Sequence, residues 1–396
     1  MNAPLEGVRV LDLSRILAGP FATMVLADLG AEVIKVEAPG RGDDTRFWGP
    51  PFVEGETTYY MSVNRSKLGV SLDFKHPKGR ELLFRLIDRA DILIENFRSG
   101  TLDRLGLGYD DLAPLRPRLI YCSITGYGHT GPRGSEPGFD VVIQGESGLM
   151  SVTGSPDGPP YKVGASICDI MAGMYAVQGI LAALYQRDRT GQGQKIDLSL
   201  LDSIVSALNY QTAMYLITGR TPQRMGNRHP NIAPYETFEA SDGYFIVAVA
   251  NNPHWHLFCQ VLGLEELEVE PRYRTVPDRV RNYEPLRELL VSRFRQQPVS
   301  HWLEVFRDVG LPCGEVRSVA QALEEPQLRA RGMILDMEHP KAGRIRVAGC
   351  PLKLSGSRPA DPAPPPTLGQ HNREVFCGIL GLSQEEFEAL ARDRVF

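Results

Sequence analysis

The chain has 396 residues, 42% hydrophobic and 23% charged, a composition typical of a globular protein long enough for two domains. Lysine and arginine number 43 against 48 acidic residues, and the net charge of −5 gives no general attraction for nucleic acid. These figures exclude a disordered, fibrous or coiled-coil chain. Six scattered cysteines without a C-x-x-C pair, and an N-terminus without a secretory pattern, predict a cytoplasmic protein.

Strands and helices alternate through the first half of the chain. Apolar runs predict strands, and segments that begin with proline predict helices. The strands are expected at 8–13, 31–37, 69–74, 91–97, 118–126 and 195–200, and the helices at 20–29, 77–89, 169–190 and 201–218. This alternation indicates βαβ units and an α/β fold with a mostly parallel sheet. Ligands of such sheets bind at the carboxyl ends of the strands.

A second, smaller region follows, of mixed helices and strands. It is predicted to hold a hairpin at 236–251 and helices at 254–262, 284–296 and 300–309. Beyond it we expect a hairpin at 333–349, an extended spacer at 362–366 and one amphipathic helix at 372–394. The apolar run at 170–184 is interrupted by Gly173, Gln178 and Gly179, so no membrane span is expected.

Several common motifs fail their structural tests. The segment Gly126–Gly131 matches G-x-G-x-x-G, but prolines and glycines follow it, so no helix opens there to bind a pyrophosphate. His254 and His256 have no third ligand nearby, and no metal is expected. Ser147 lacks the spacing of a nucleophile elbow, and no P-loop occurs.

Asp169 is the carboxylate of most interest, because it lies at the start of the long predicted helix. One interpretation is an ordinary helix N-cap. The other is a nucleophile, kept ionised by the helix dipole and able to attack an acyl carbon. Cys168 is a rival nucleophile, but a thiol without a positioned base is mostly protonated, and we expect it to be buried packing.

Basic residues gather in the loops that follow the predicted strands. A phosphate-rich ligand together with a carboxylate substrate would dock among them, although solvated surface charge explains most such residues. They are Arg15, Arg41, Arg46, Arg65, Lys67, Lys75, Arg98 and Arg104.

Short segments spread over the whole chain resemble one enzyme family. They are LDLSRILAGP at 11–20, LGAEVIKVE at 29–37, GD at 42–43, NRSK at 64–67, ENF at 95–97, DRLG at 103–106, GYG at 126–128, Asp169, TGQGQ at 190–194, GLPCG at 310–314 and LGQH at 368–371. In this order they resemble the class III CoA-transferases, the CaiB/BaiF family. GPPF at 49–52, CSITGYG at 122–128 and EHP at 338–340 are most similar to its succinyl-CoA:glutarate (hydroxymethylglutarate) branch.

The resemblance implies an architecture and a reaction. The family forms an interlocked homodimer, each chain with a Rossmann-like CoA-binding domain and a smaller α+β domain. On this chain we place the large domain at 1–200 and 330–396, the small domain at 225–325 and linkers at 201–224 and 326–329. The substrates are an acyl-CoA and a small carboxylic acid, with no permanently bound cofactor, no nucleic acid and no membrane partner.

The resemblance also implies site residues. Asp169 falls at the catalytic aspartate, Asp140 at an acidic position that organises the site, and Leu17 and Ala18 in its wall. The expected CoA-binding residues are Arg46, Leu72, Asp73, Lys75, Asn96, Phe97, Arg98 and Arg104.

Substrate recognition is predicted for Arg15 from its place in a strand-end loop, and for Arg228 or His229 from the comparison with another branch of the resembled family. Arg15 suits the distal carboxylate of a dicarboxylic acid, although a structural ion pair is an equal alternative. Arg228 or His229 could meet a substrate carboxylate, since 225–230 lacks the glycine run that forms a lid in another branch.

The predicted activity is transfer of CoA from succinyl-CoA to a dicarboxylic acid such as glutarate or itaconate, through aspartyl anhydride and aspartyl-CoA intermediates. The alternatives are an α-methylacyl-CoA racemase, a CoA-transferase for carnitine-like or aromatic acids, and a catalytically silent CoA-binding regulator. Phe139 stands where the racemases have a catalytic histidine, which disfavours the first of these.

Overall fold

A computed structural model of the chain describes residues 2–357 and 359–396. The predicted large-domain ranges include Met1 and Arg358, which lie outside the described residues. The strands are β1 Arg9–Asp12, β2 Glu32–Glu37, β3 Phe52–Val53, β4 Glu56–Thr57, β5 Lys67–Ser71, β6 Ile92–Glu95, β7 Ile120–Thr125, β8 Lys195–Ser199, β9 Tyr235–Glu239, β10 Tyr244–Ala248, β11 Cys313–Glu315, β12 Ile334–His339 and β13 Gly343–Ala348.

Helices connect most of these strands. They are α1 Ala18–Asp28, α2 Thr58–Val63, α3 Pro77–Ile87, α4 Tyr109–Leu112, α5 Asp140–Glu146, α6 Leu149–Val152, α7 Ile167–Thr190, α8 Leu200–Ala207, α9 Tyr210–Thr218, α10 Asn252–Leu262, α11 Glu266–Val269, α12 Val276–Arg281, α13 Tyr283–Phe294, α14 Val299–Asp308, α15 Val319–Leu323, α16 Pro326–Ala330 and α17 Gln384–Arg392. Short 3₁₀ turns lie at Asp44–Phe47 and Asp103–Leu105, and a π-helical turn at Glu374–Ile379.

A six-stranded parallel sheet organises the first half of the chain, which confirms the α/β prediction. Its order is β5-β2-β1-β6-β7-β8, so the strand order reverses between β1 and β6. Side chains of one strand alternate between the two faces: Val10 packs with α1 and α7, and its neighbour Leu11 packs with α3. Helices cover both faces, as a parallel sheet requires. In such a sheet a ligand crevice is expected where the order reverses.

The chain divides into two compact units. The first comprises residues up to Leu149, Val163–Thr218 and Pro326–Phe396, and the second comprises Met150–Lys162 and Gly219–Glu325. Two predicted boundaries need correction, because 150–162 belong to the second unit and 201–218 are not a linker. The segment 150–162 pairs with the second unit through the Gly226 N–H, which donates to the Gly154 carbonyl at 2.9 Å. Helix α8 instead packs on α7 in the first unit.

An aromatic core fills the second unit. The antiparallel strands β11, β10 and β9 lie side by side, and α10, α13 and α14 pack on them. Phe245 and Phe294 meet edge to face, with ring centroids 5.0 Å apart. The predicted hairpin and the three helices of this region are all present.

Two predicted helices are each broken in the structure. The one expected at 201–218 is interrupted at Asn209, whose φ of 45° lies outside helical space. The one expected at 372–394 is a π-helical turn and a separate α17, because Gly381 has a φ of 73° and Ser383 starts a new helix with a capping box. Apolar periodicity alone did not show either break.

Helix α7 has 24 residues and, by length and composition alone, is apolar enough to cross a membrane, where the sequence analysis expects no span. Its interrupting glycines do not end the helix. Packing explains its composition instead, since its buried residues contact α1, α8, β7 and β8. Among the described residues it is the one helix of this kind.

Gly173 permits a close approach between α7 and α1. A Cβ at this position would lie 2.8 Å from the Ala18 carbonyl oxygen and 2.9 Å from the Phe21 ring. We expect Gly173→Ala to lower the free energy of unfolding by about 1–3 kcal/mol, although alanine favours helices. Gly179→Ala is the matched control, since its Cβ meets only the Ile196 side chain at 3.2 Å. Equal denaturant midpoints for the two variants would contradict the close packing.

Candidate active site

A cavity opens in the first unit where the strand order reverses. It has a volume of about 260 Å³, and the loops that follow β1, β6 and β7 form most of its wall. Among the predicted site residues, the structure brings these to its lining: Arg15, Leu17, Ala18, Asn96, Phe97, Arg98 and Asp169. The site is therefore at the position that a doubly wound sheet offers to ligands.

Asp169 reaches this cavity from the first turn of α7. The helix begins at Ile167 after Ser166, so Asp169 is inside the first turn and is not the N-cap. Burial, with the Asp140 carboxylate as a second cause, raises the pKa of Asp169 to about 7. The expectation that the helix dipole keeps this carboxylate ionised is therefore incomplete, because desolvation opposes the dipole.

Asp140 caps α7 from another helix. Its Oδ1 accepts hydrogen bonds from the Cys168 N–H at 2.8 Å and the Asp169 N–H at 3.4 Å. Its Oδ2 accepts from Gln144 Nε2 at 2.7 Å, and Gln144 in turn accepts from the Val163 N–H at 2.8 Å. Asp140 thus fixes the main chain that carries Asp169 and also adds negative charge beside it.

We expect Asp140→Asn to lower the pKa of Asp169 below about 7. The asparagine oxygen can still accept from the Cys168 N–H, while the repelling charge is removed. The measurement is the acidic limb of the pH profile of kcat/KM, which should move to lower pH. Glu146→Gln is the matched control, because Glu146 is an exposed carboxylate on the same helix α5. The acidic limb of the Glu146→Gln profile should lie at the same pH as that of the parent enzyme. If the acidic limb of Asp140→Asn also lies there, the Asp140 charge does not raise the pKa of Asp169.

Cys168, the rival nucleophile, is fully buried. Burial is the main cause that raises the pKa of its thiol to about 12. The thiolate is therefore absent at neutral pH, and Cys168 contributes packing under Asp169.

Arg15 lies in the loop after β1 and forms an ion pair with Asp44, which also lines the cavity. Arg41 contacts the same carboxylate at 2.9 Å. Two guanidinium groups thus share the Asp44 carboxylate, and of the two only Arg15 lines the cavity. Next to it, Leu17 and Ala18 begin α1, and no side chain caps this helix.

Apart from Arg46, the predicted CoA-binding residues lie on the loops after β5 and β6. Lys75, Arg98 and Arg104 are exposed cations there. The rings of Phe74 and Phe97 meet edge to face at 6.4 Å, which joins the two loops.

Two members of the CoA-binding set have a different environment. The Asp73 Oδ1 accepts from the Lys75 N–H at 2.9 Å and shapes the loop after β5. Leu72 is fully buried in the core, so its side chain is not available to a ligand.

Arg46 is corrected from a ligand-binding to a structural residue. Its guanidinium donates to both Glu37 carboxylate oxygens at 2.7 Å and lies 3.6 Å from the centroid of the Tyr60 ring. The side chain is 8% exposed. All of its charge is used inside the fold, and it is removed from the proposed CoA site.

Arg228 and His229 belong to the second unit. Arg228 stacks on Tyr283 with its guanidinium carbon 3.7 Å from the ring centroid, and it pairs with Glu284 at 3.4 Å. His229 packs edge to face against Tyr235. Their contact with a substrate stays a prediction.

The sequence analysis missed a buried acid at the end of β6. Glu95 accepts hydrogen bonds from the Ser123 hydroxyl and from the Phe97 N–H, the latter at 2.8 Å. Ser123 also contacts His129 Nε2 at 2.6 Å. Burial raises the pKa of Glu95 to about 7. The sequence analysis includes Glu95 in the ENF segment, but the burial of this residue depends on the packing of β7, which the segment alone does not show.

No group of three or more histidine, cysteine, aspartate or glutamate side chains that could hold a metal is present within residues 2–357 and 359–396. His256 contacts Glu268 at 2.7 Å at the surface of the second unit. His256 therefore has a local partner other than a metal.

Comparison with known proteins defines the class. The model of CoA-transferase family III matches residues 5–372, and the chain belongs to this family. It is accordingly a CoA-transferase, an enzyme that uses CoA thioesters as substrates.

Individual relatives cover nearly the whole chain. Human succinyl-CoA:glutarate CoA-transferase is 44% identical over 95% of this chain and 86% of its own. Succinate–glutarate CoA-transferase of Agrobacterium fabrum is 43% identical over 95% of this chain and 96% of its own. The crystal structure of a CaiB/BaiF family protein from Brucella suis superposes with a TM-score of 0.86 at 43% identity, over 96% of this chain and 100% of that one.

Proposed function

We propose that the protein transfers CoA from succinyl-CoA to a dicarboxylic acid such as glutarate or itaconate, with Asp169 as the nucleophile. The observation that carries the proposal is the cavity in which Asp169 and the cation Arg15 are lining residues. The names of the similar proteins, which pair succinyl-CoA or succinate with glutarate, support the same substrates.

The first half-reaction releases the donor acid. The ionised Asp169 carboxylate attacks the thioester carbon of succinyl-CoA, the C–S bond breaks, and a mixed anhydride and CoA thiolate form. The thiolate then attacks the Asp169 carbonyl carbon of the anhydride. Succinate leaves, and the enzyme carries CoA as an aspartyl thioester.

The second half-reaction repeats these steps with the acceptor. A carboxylate of the acceptor attacks the aspartyl thioester, which forms a new anhydride and frees the thiolate again. The thiolate attacks the acceptor acyl carbon, so the acceptor leaves as its CoA thioester and Asp169 is restored. One thioester is exchanged for another, so no ATP is required.

The surroundings of Asp169 suit this chemistry. A raised pKa marks a desolvated carboxylate, which is a stronger nucleophile than a solvated one. Each tetrahedral intermediate carries a negative oxygen, and we assign its stabilisation to the N–H groups at the uncapped start of α1. Asp140 holds the main chain of Asp169 in place while its side chain changes partners.

The CoA phosphates require cations outside the reacting centre. We assign them to Lys75, Arg98 and Arg104, which are exposed on neighbouring loops at the carboxyl edge of the sheet. Phe97 lines the cavity together with Arg98 and Asp169, and we assign the pantetheine arm to a path along its ring.

We also propose an interlocked homodimer, with a Rossmann-like large domain, in the cytoplasm. Large apolar side chains exposed on α7, α8 and α9 support dimerisation, because a partner subunit would cover them. They include Leu181, Tyr185, Val205, Leu216 and Ile217, and Ile217 is 81% exposed. Sedimentation velocity tests the dimer.

Trapping of the intermediates tests the function. The protein is incubated with succinyl-CoA, treated with hydroxylamine and digested, and the peptide that contains Asp169 is examined by mass spectrometry. We expect a CoA adduct before hydroxylamine and a hydroxamate at Asp169 after it, both absent from the Asp169→Asn variant. An unmodified peptide together with unchanged succinyl-CoA contradicts the proposed donor. α-Proton exchange in a 2-methylacyl-CoA, without acyl transfer, would support the racemase alternative.

A further inference from the structure

The loop after β1 contains a strained residue beside the catalytic carboxylate. Ile16 has a φ of 70°, in the left-handed region, and it lines the same cavity as Asp169. A β-branched residue rarely adopts this conformation, because its side chain crowds the backbone. Such a residue keeps this conformation only when its surroundings hold it there.

Side chains from β2, from the loop after it and from the loop after β6 hold the main chain that leads into this position. Lys35 Nζ donates to the Ser14 carbonyl at 2.9 Å, and the Asp43 carboxylate accepts from the Ile16 N–H at 3.2 Å. Between them, Asn96 Oδ1 accepts from the Arg15 N–H at 2.7 Å, and Asn96 Nδ2 donates to the Arg15 carbonyl at 2.6 Å. Four consecutive main-chain groups are therefore all bonded to side chains: the Ser14 carbonyl, the Arg15 N–H, the Arg15 carbonyl and the Ile16 N–H.

These side chains are themselves fixed. Lys35 and Asp43 form a buried ion pair at 3.0 Å with both side chains 0% exposed. Asp43 also accepts from Thr45, through the N–H at 3.0 Å and the hydroxyl at 2.8 Å. Asn96 directly follows β6, and the Phe97 N–H next to it is bonded to the buried Glu95. The loop thus rests on rigid elements of the sheet on either side of the strand-order reversal.

We propose that Asn96 is a positioning residue, whose amide holds Ile16 in the left-handed conformation and so sets Arg15, Leu17 and Ala18 in the wall around Asp169. Both polar atoms of the amide are bonded to Arg15, so the side chain acts on the loop and does not serve as a CoA ligand. The expected effect of Asn96 on the rate rests on the proposed CoA transfer, whereas its expected effect on the loop does not.

Loss of the Asn96 amide is expected to change the conformation of the loop after β1. Without the amide, Ile16 relaxes toward negative φ, and the residues on both sides of it turn away from their places in the wall. A displacement of about 1 Å at a catalytic wall lowers kcat by as much as about 100-fold. Glycine adopts the left-handed region at no steric cost, so a glycine at this position makes the loop less dependent on Asn96.

A double-mutant cycle of Asn96→Ala and Ile16→Gly tests the proposal in the full-length enzyme. We expect N96A to lower kcat by about 30-fold or more in the parent background and by less than about 5-fold in the I16G background. The KM for succinyl-CoA should change by less than about 3-fold in both backgrounds. Arg98→Ala is the matched control on the same loop, and it should raise this KM and show no coupling to I16G.

The opposite pattern overturns the proposal. If N96A raises the KM for succinyl-CoA and weakens CoA binding equally in both backgrounds, Asn96 is a CoA ligand. A second readout does not depend on the reaction: N96A should lower the unfolding temperature less in the I16G background than in the parent. If the parent enzyme transfers no CoA, the proposed function fails, and the unfolding cycle alone still decides the role of Asn96.

Discussion

Asp169→Asn is expected to abolish CoA transfer and, above pH 7, to make the protein more stable. Loss of the proposed nucleophile removes both proposed covalent intermediates, and kcat should fall by roughly 10⁴-fold or more. Asparagine has almost the same shape, so the cavity and the first turn of α7 are kept. The initial rate of acceptor-CoA formation measures the first effect.

The gain in stability follows from the raised pKa of Asp169, which is about 7 in the folded protein against an ordinary value of 3.8. The folded state holds this proton more tightly than the unfolded state. Its stabilising contribution is therefore complete below about pH 4 and is lost as the pH rises through 7. Asparagine has no charge to desolvate, so the variant avoids this loss, which we put at about 1–3 kcal/mol after solvent screening.

Thermal unfolding at pH 5 and pH 8 measures this difference. The unfolding temperature of Asp169→Asn, relative to that of the parent, should rise by several degrees from pH 5 to pH 8. Asp188→Asn is the matched control, because Asp188 is an exposed carboxylate on the same helix α7, and it should show no such gain. A parent and variant that lose stability in parallel would mean that Asp169 is not desolvated.

The sequence predicted the sheet well because its signal is local. The run at 8–13 has apolar side chains on both faces, and this is the pattern of a strand covered on two sides by helices. The breaks at Asn209 and Gly381 were missed, since the apolar period continues across each of them. The segment 150–162 was assigned to the wrong unit because its partner, Gly226, lies far along the chain.

The sequence predicted which side chains of the strand-end loops line the candidate site. It predicted the roles of these side chains less well. Arg15, Asn96 and Asp169 do line one cavity. Arg46 resembles the other strand-end cations in sequence, and only the packing of Glu37, Glu56 and Tyr60 around it shows a structural role. The strain at Ile16 has no local signal, because the groups that hold it come from β2, from the loop after it and from the loop after β6.

Arg15→Met is expected to remove the proposed preference for dicarboxylic acceptors. Arg15 lines the cavity with Asp169, and a guanidinium at this place can bind the distal carboxylate while the other carboxylate reacts. Loss of such a charge-assisted interaction costs about 2–3 kcal/mol, so kcat/KM for glutarate should fall by roughly 100-fold. For butyrate, which lacks the second carboxylate, kcat/KM should change by less than about 3-fold.

Arg41→Met is the matched control, since Arg41 pairs with the same Asp44 and is not among the residues that line the cavity. Its acceptor preference should equal that of the parent. The Asp44 carboxylate retains one arginine partner in either variant, so neither leaves an unpaired charge that would distort the loop. Competition between glutarate and butyrate for the same succinyl-CoA measures the ratio directly. If Arg15→Met slows both acceptors equally, Arg15 acts only through its ion pair with Asp44, and another cation must select the acceptor.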